Sequence, residues 1–495
     1  MKLNTSNKEL LHFKTDILEI QILGGIKLSS LDRLRVTLKL IGEETFPLRY
    51  NLDLYNTDQV EKLIRRTSEY FEIELKDVRL VLMQLIEELE TFRLSELDTT
   101  EVQTKVELTD KEREEAINYL KKPKLMDRLY EDISKASEIV AEKNNAILLY
   151  TTLVSKKLKS PLSAIIFGES GSGKTTLLQG IGNLLPKEDV ITLTSLSKTS
   201  LYYMDDLIDK SLLIEDLSGA SSDDVLFALR ELVSNQKLSR NITERNHKGD
   251  IVSKIITLKT QLSMASCTTN TGVYFDNQNR SIPILIESWN KEREEEIFKY
   301  KQLKASGKIN TEEIETLKQT IVNAHRVLQD VEVINPYADK LNLPESVKSP
   351  KRSFQLYLDF IKTIAWLNQY SRKVKTDKKT KKRYIEVNKE DIKWANRLLK
   401  DALLIKSDDL SSSTRKFYNE LKDLLKESRI FTIKDIKHLS HMSNIKRYLK
   451  ELRTYEFVRI TNGNQHTGFE YKLIEDTSWN NIEKELENSL NSQVV

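Results

Sequence analysis

An α/β fold around a mostly parallel sheet is what this sequence predicts, and three observations predict it. Between about residues 126 and 290, helical segments alternate with short β-runs, the order that layers helices on parallel strands. A glycine-rich loop, Gly168-Glu169-Ser170-Gly171-Ser172-Gly173-Lys174-Thr175, lies between a buried-strand candidate at 163–167 and a helix candidate at 176–185. About forty residues on, the apolar run 211–214 ends in Glu215 and Asp216, as a neighbouring strand of the same sheet would. The full expectation is a P-loop core with a parallel sheet, an N-terminal α+β domain, a helical lid and a C-terminal winged helix.

Each element follows in order. Residues 16–55 alternate in apolar character around Gly24-Gly25, the period of strands, and 56–93 place Val60, Leu63, Ile64, Leu80, Leu82, Leu85 and Ile86 at helical spacing. Together they make an N-terminal α+β domain over 1–98. Residues 99–125 are charged and poor in aromatics, and read as a linker with one exposed helix. The P-loop core occupies 126–290, and a helical lid region with a basic loop occupies 291–410. A compact helical set ending in a hairpin fills 411–476, and a tail follows at 477–495. No internal repeat is evident.

The chain has 495 residues, room for about three domains with cores of their own. Charged residues make up 31% and hydrophobic ones 39%, which excludes collagen-like and wholly disordered classes. One cysteine, Cys267, excludes a disulfide framework and a cysteine-based zinc site. His438 and His441 lack a third metal ligand. The first twenty residues contain no apolar signal core, and the best apolar run, 146–154, is too short to span a bilayer. The expectation is a cytoplasmic protein without a membrane partner. The net charge of +3 hides an asymmetry: residues 351–480 carry 29 Lys+Arg against 17 Asp+Glu, while residues 1–350 sum to −7. Such asymmetry marks an attached polyanion-binding region or a solvated helical surface.

The loop at 168–175 is a full G-x-x-x-x-G-K-[ST] match. Its glycines let consecutive backbone N–H groups converge on phosphate oxygens at a helix N-terminus. Gly168, Glu169, Ser170, Gly171, Ser172, Gly173, Lys174, Thr175 and Thr176 are the candidate nucleotide ligands. Lys174 supplies charge to the β- and γ-phosphates, and the Thr175 hydroxyl would ligate Mg²⁺. ATP and Mg²⁺ are the expected cofactors.

Hydrolysis requires an acid at a neighbouring strand end. By position Glu215 takes the metal role and Asp216 the catalytic one, the reverse of the usual Asp-Glu order. A third apolar strand, 262–268, ends in polar residues, of which Thr268 or Asn270 is placed to sense the γ-phosphate. Arg280 immediately precedes the strand 282–286. In ring ATPases an arginine there reaches into the neighbouring subunit's site; a surface arginine is the alternative.

Three basic features remain. Residues 237–257 read as a hairpin with a Lys-Gly-Asp turn, whose tip offers Arg245, His247 and Lys248 to a nucleic-acid backbone or packs on a neighbouring subunit. The run 372–383 holds eight basic residues in twelve, either a mobile solvated loop or a phosphate contact. The segment 414–473 follows the order of a winged helix-turn-helix, with Lys446, Arg447 and Lys450 on its third helix facing DNA or a protein partner.

At these residues the sequence resembles the helicase-like ATPase half of bacterial mobile-element primase–helicase proteins, distantly similar to the minichromosome-maintenance branch of AAA+ helicases. The phrases that carry the resemblance are LGGIKLSSLDRLRVTL (23–38), NLDLYNTDQVEKLIRR (51–66), LKSPLSAIIFGESGSGKTTLL (158–178), LLIEDLSGA (212–220), SCTTNTGVYFDNQNRSI (266–282) and NPYADKL (335–341). It spans roughly residues 15–475. It implies an AAA+ core, a homo-oligomeric ring (a hexamer) and ATP-driven translocation on DNA, single-stranded in the channel. It also implies Arg352, at the start of the helix 353–366, as a lid arginine touching the γ-phosphate. The zinc-binding and catalytic primase segments that normally precede this half are lacking, so a separate primase or nuclease is the expected partner. The alternative expectation is a nucleotide-switched DNA-binding protein without unwinding activity: an initiator, a loader, a transposition regulator or an anti-phage ATPase subunit.

Overall fold

Side chains that alternate between apolar and polar open the N-terminal unit, residues 1–106. A computed structural model describes the chain except residues 1–2, 6, 8, 27–32, 43–44, 102–105, 197–199, 205–206, 218–222, 246–250, 270–279, 287–290, 426–428, 465–467, 475–477 and 493–495. In this unit β1 (Leu10–Lys14), β2 (Glu19–Leu23), β3 (Arg35–Ile41) and β4 (Leu48–Asp53) form an antiparallel meander. The period of two sends Phe13, Ile20, Ile22, Val36, Leu38 and Leu40 into one buried face. Two helices, α1 (Thr57–Phe71) and α2 (Leu75–Glu101), close that core with Leu63, Ile64, Leu82 and Leu85. Asn56 caps α1 by accepting from the Gln59 backbone N–H at 3.1 Å.

The second unit, residues 107–495, begins with α3 (Asp110–Lys121), α4 (Leu125–Ser137) and α5 (Lys143–Val154). The helix expected to lie exposed within a linker at 99–125 is α3, and it is packed instead. Ala116, Tyr119 and Leu120, spaced i, i+3, i+4, are buried. That stripe is too narrow to lift the apolar content of a charged segment, so composition hid it.

Five parallel strands form the sheet of this unit: β5 (Ser163–Phe167), β6 (Val190–Leu193), β7 (Ile208–Ile214), β10 (Gln261–Thr268) and β11 (Ile282–Leu285), in the order β11-β5-β10-β7-β6. Strand β5 is buried at every residue, as a central parallel strand covered on both faces must be. Ser211 and Ser263 satisfy each other at 3.0 Å and both reach the Leu153 carbonyl, tying β7 and β10 to α5. Helix α6 (Lys174–Gly182) crosses from β5 to β6, and α7 (Asp223–Asn235) follows β7.

Between β7 and β10 the chain makes β8 (Lys237–Arg245) and β9 (Ile251–Lys259), a separate antiparallel ribbon running from the pair Lys237–Lys259 to the pair Arg245–Ile251. Leu238 roots it in the core, while Arg240, Asn241, Thr243, Ser253 and Ile255 are exposed.

Helices α8 (Lys291–Ala305), α9 (Thr311–Val327), α10 (Pro350–Leu367) and α11 (Lys389–Ser407) follow, with a small sheet of β12 (Glu332–Ile334), β13 (Lys375–Thr376) and β14 (Arg383–Glu386). The basic run 372–383, read from sequence as a mobile loop or a phosphate contact, turns between β13 and β14. Asp377 holds the turn by accepting from the Lys379 and Thr380 backbone N–H groups.

The C-terminal elements are α12 (Ser412–Leu425), β15 (Ile430–Thr432), α13 (Ile433–Ile436), α14 (Met442–Thr454), β16 (Val458–Asn464) and β17 (Gly468–Leu473), with a sheet ordered β15-β17-β16. They share their own core around Phe417, Leu421, Phe431, Ile445 and Leu452. The expected tail at 477–495 contains α15 (Ser478–Ser492). Its Leu486 and Leu490 enter the main core, and the Leu490 carbonyl accepts from the Asn396 side chain at 2.6 Å. Among the described residues, no helix is long and apolar enough to cross a membrane.

Candidate nucleotide-binding site

Parallel strands align their C-terminal ends along one edge, and β5, β7 and β10 each deliver chemistry there. The loop after β5 turns tightly: Gly171 and Gly173 have φ of +81° and +97°, a region that only glycine enters without strain. Gly168 is required for another reason. A Cβ there would lie 2.6 Å from Ser172 Oγ and 2.9 Å from the Ile286 carbonyl. Helix α6 starts on Gly173, so its first N–H groups point out of the loop. Lys174 Nζ donates to the Gly168 and Glu169 carbonyls at 2.9 and 2.5 Å, curling back over the loop. Burial depresses its pKa, opposed by the nearby Asp216 and Glu169 carboxylates.

This arrangement fits a phosphate chain. Ser172 Oγ is buried with no hydrogen-bond partner among the described residues, inside a loop whose glycines are set by φ and by close approach. Loop amides and Lys174 would hold the phosphates; Thr175 and Glu215 have the oxygen donors that Mg²⁺ takes.

Glu215 and Asp216 follow β7 directly. The Glu215 N–H donates to Leu193 O at 2.9 Å and the Leu217 N–H donates to Cys267 O at 2.9 Å, so the acidic pair is fixed from β6 and β10 on either side. The Glu215 side chain accepts from Gln179 Nε2 at 2.5 Å. Thr268 ends β10 and pairs in register with Phe167, the residue before the P-loop, which sets it beside the loop. Cys267 is buried and its thiol is pushed up to about 12, by burial first and also by Glu215 and Asp216. It is a packing residue. Asn270 lies outside the described residues.

Sequence reasoning missed Arg293. This residue, near the start of α8, donates Nη2 to the Ser172 carbonyl at 3.2 Å and pairs Nη1 with Glu142 at 3.0 Å. Glu142 also accepts from Asn145, whose amide reaches the Leu285 carbonyl at 3.1 Å. The P-loop is thereby braced to α5 and the end of β11. Nothing in local sequence marks an arginine 120 residues downstream as part of the loop.

Arg280 is placed at the other edge of the sheet. Its carbonyl accepts from Ser163 Oγ at 3.2 Å, at the start of β5, whereas the P-loop follows the last residue of that strand. Roughly 15 Å of strand separates them. Its guanidinium donates to Ser234 Oγ at the end of α7. Arg352 is exposed in the first turn of α10 and is not among the residues lining the cleft over the P-loop.

That cleft, about 800 Å³, has Gly168, Glu169 and Ser170 on one wall. The opposite wall comes from α12 and α14, with Lys416, Asn419, Asn444 and Arg447. Arg447, read from sequence as a nucleic-acid contact, thus faces the P-loop, while Lys446 and Lys450 are exposed on the same helix. Arg245 closes the β8–β9 ladder opposite Ile251, and His247 and Lys248 lie outside the described residues. Among the described residues, no group of His, Cys, Asp and Glu forms a separate metal cluster.

Residues 107–248 match the family described as MTBMA_p00010 P-loop domain. The match begins where the second unit begins and includes the P-loop, Glu215 and Asp216. No curated protein matches the chain. The mixed α/β core with its five-stranded parallel sheet is a P-loop nucleotide-binding domain of the NTPase type.

Proposed function

We propose that this chain is an ATP-hydrolysing DNA translocase that works as a homo-oligomeric ring in mobile-element or phage-related replication or defence. Lys174 and the loop amides hold the phosphates, and Thr175 and Glu215 hold Mg²⁺, which when bound neutralises charge on the β- and γ-oxygens. Asp216 orients the attacking water, and Thr268, or Asn270 beyond it, contacts the γ-phosphate.

One observation carries the reading: Arg280 sits at the sheet edge opposite the chain's own P-loop. An arginine there completes a site only in a second copy, which makes turnover depend on assembly. The exposed β8–β9 ribbon adds support, since it leaves the core between the acidic strand and the strand bearing Thr268. A ribbon so rooted would feel nucleotide state and carry Arg245, His247 and Lys248 to a strand backbone.

Strand displacement and ATPase rate, measured with and without DNA, test this on wild type, Lys174→Ala and Lys248→Ala. Unwinding lost in both variants, with ATPase lost only in the first, is the expected result. Hydrolysis that ignores DNA, with no displacement by wild type, would leave the second reading. In that reading the chain is a nucleotide-switched DNA-binding protein, an initiator or loader. The placement of the C-terminal helices against the P-loop cleft favours it, because a DNA-binding module so placed exchanges nucleotide occupancy for DNA access.

A further inference from the structure

The phosphate side of the P-loop faces a second wall that belongs to helices nearly 250 residues away. Gly168, Glu169 and Ser170, the first residues of the P-loop, line the cleft of about 800 Å³, so a phosphate chain held by the loop borders that cleft. Oxygens turned away from the loop then meet α12 and α14. Three cations stand on that side: Arg415, Lys416 and Arg447. Arg415 is committed elsewhere, since its Nε and Nη2 bind both oxygens of the buried Asp408 at 2.7 and 2.6 Å. Arg447 stacks on the Tyr448 ring at 5.1 Å, which holds its stem while the guanidinium edge keeps its donors for another acceptor. Lys416 stands one residue after Arg415 on the exposed side of α12.

We infer that Lys416 and Arg447 are nucleotide-binding residues of the chain's own site, contacting the terminal phosphate across the cleft. The inference rests on the P-loop reading and deepens it: the C-terminal module reads triphosphate against diphosphate. A γ-phosphate adds about two negative charges where Glu169, Glu420 and Asp423 are also near, so the two cations decide whether the module stays closed over the loop. Loss of the γ-phosphate removes their ligand and leaves Glu169 facing Glu420, which favours opening. Arg447 is then shared between two ligands, and triphosphate and DNA compete for it.

Equilibrium binding of fluorescent ADP and of a β,γ-non-hydrolysable ATP analogue to the full chain tests this. Arg447→Ala and Lys416→Ala should each weaken analogue binding about tenfold, the scale of one charge-assisted hydrogen bond, with ADP affinity changed less than twofold. Arg447→Lys should recover most of the loss, and Lys174→Ala should lose both ligands. An unchanged analogue-to-ADP ratio in Arg447→Ala and Lys416→Ala, with Lys174→Ala still losing both ligands, overturns this inference and leaves the P-loop reading standing. Retained binding by Lys174→Ala overturns both.

Discussion

Gln179, in the second turn of α6, donates its side-chain amide to Glu215 Oε1 at 2.5 Å. The helix that carries Lys174 therefore also sets the orientation of the carboxylate at the end of β7. One oxygen of Glu215 is held, and in the proposed site the other would meet Mg²⁺. Gln179→Ala should raise the Mg²⁺ concentration for half-maximal turnover about 10-fold, the usual effect of removing a group that orients a ligand. A Mg²⁺ titration of steady-state phosphate release checks it, and an unchanged midpoint would show that Glu215 orients without Gln179.

Arg280 makes a prediction of a different kind, because in the proposed ring it completes the site of another copy. Arg280→Ala should lower turnover about 10³-fold, the scale of an arginine finger. Lys174→Ala should be equally inactive. Mixing the two variants should restore part of the activity, since some interfaces then pair an intact P-loop with an intact arginine. Phosphate release across a mixing series measures this, and a mixture as inactive as its components would rule out the shared site.

The brace of Arg293 and Glu142 behind the P-loop is largely shielded from water, with both side chains 13% exposed. Removing one member leaves the other buried without its counter-charge. Arg293→Ala should lower unfolding free energy by about 3 kcal/mol and weaken nucleotide binding. Arg293→Lys should recover stability better than affinity, because an ammonium cannot fork between Glu142 and the Ser172 carbonyl. Urea unfolding read beside nucleotide titration separates the two effects.

Lys406, buried in α11, has its pKa lowered to about 8 by burial. Between pH 8 and its ordinary value of 10.5 the native chain binds fewer protons than the unfolded chain. Raising pH through that window therefore stabilises the fold at this position, and the benefit is absent below pH 8. Relative to Lys406→Met, wild type should gain about 2 kcal/mol from pH 8 to 10. Urea unfolding of both proteins at several pH values checks the sign; a flat difference would place Lys406 in contact with water.

What could be read from sequence follows from range. The P-loop is legible because its constraints are local: Gly171 and Gly173 need positive φ, and Lys174 sits at a fixed offset. The β8–β9 ribbon is legible because alternation is a property of adjacent residues. Strand order is not, since β11 joins β5 from over a hundred residues downstream. Arg293 is not legible for the same reason, since tertiary packing brings it to the loop; Arg447 is legible only as a basic helix residue, which looks alike whether it faces DNA or the P-loop cleft. Helix α3 shows the limit of composition, since three apolar positions anchor a segment that is otherwise charged.

Helix α15 returns to the main core, where Leu486 and Leu490 are buried and Lys400 pairs with Glu487. The module from α12 to β17 is therefore strung between two moorings, α11 before it and α15 after it. A domain held by one end can drift through a wide cone; one held at both can only rock about the line that joins them. Any swing of a module tethered in this way would be short and would bring the same residues back to the same place. Removing α15 would leave the module moored by α11 alone and uncover the part of the main core that Leu486 and Leu490 fill.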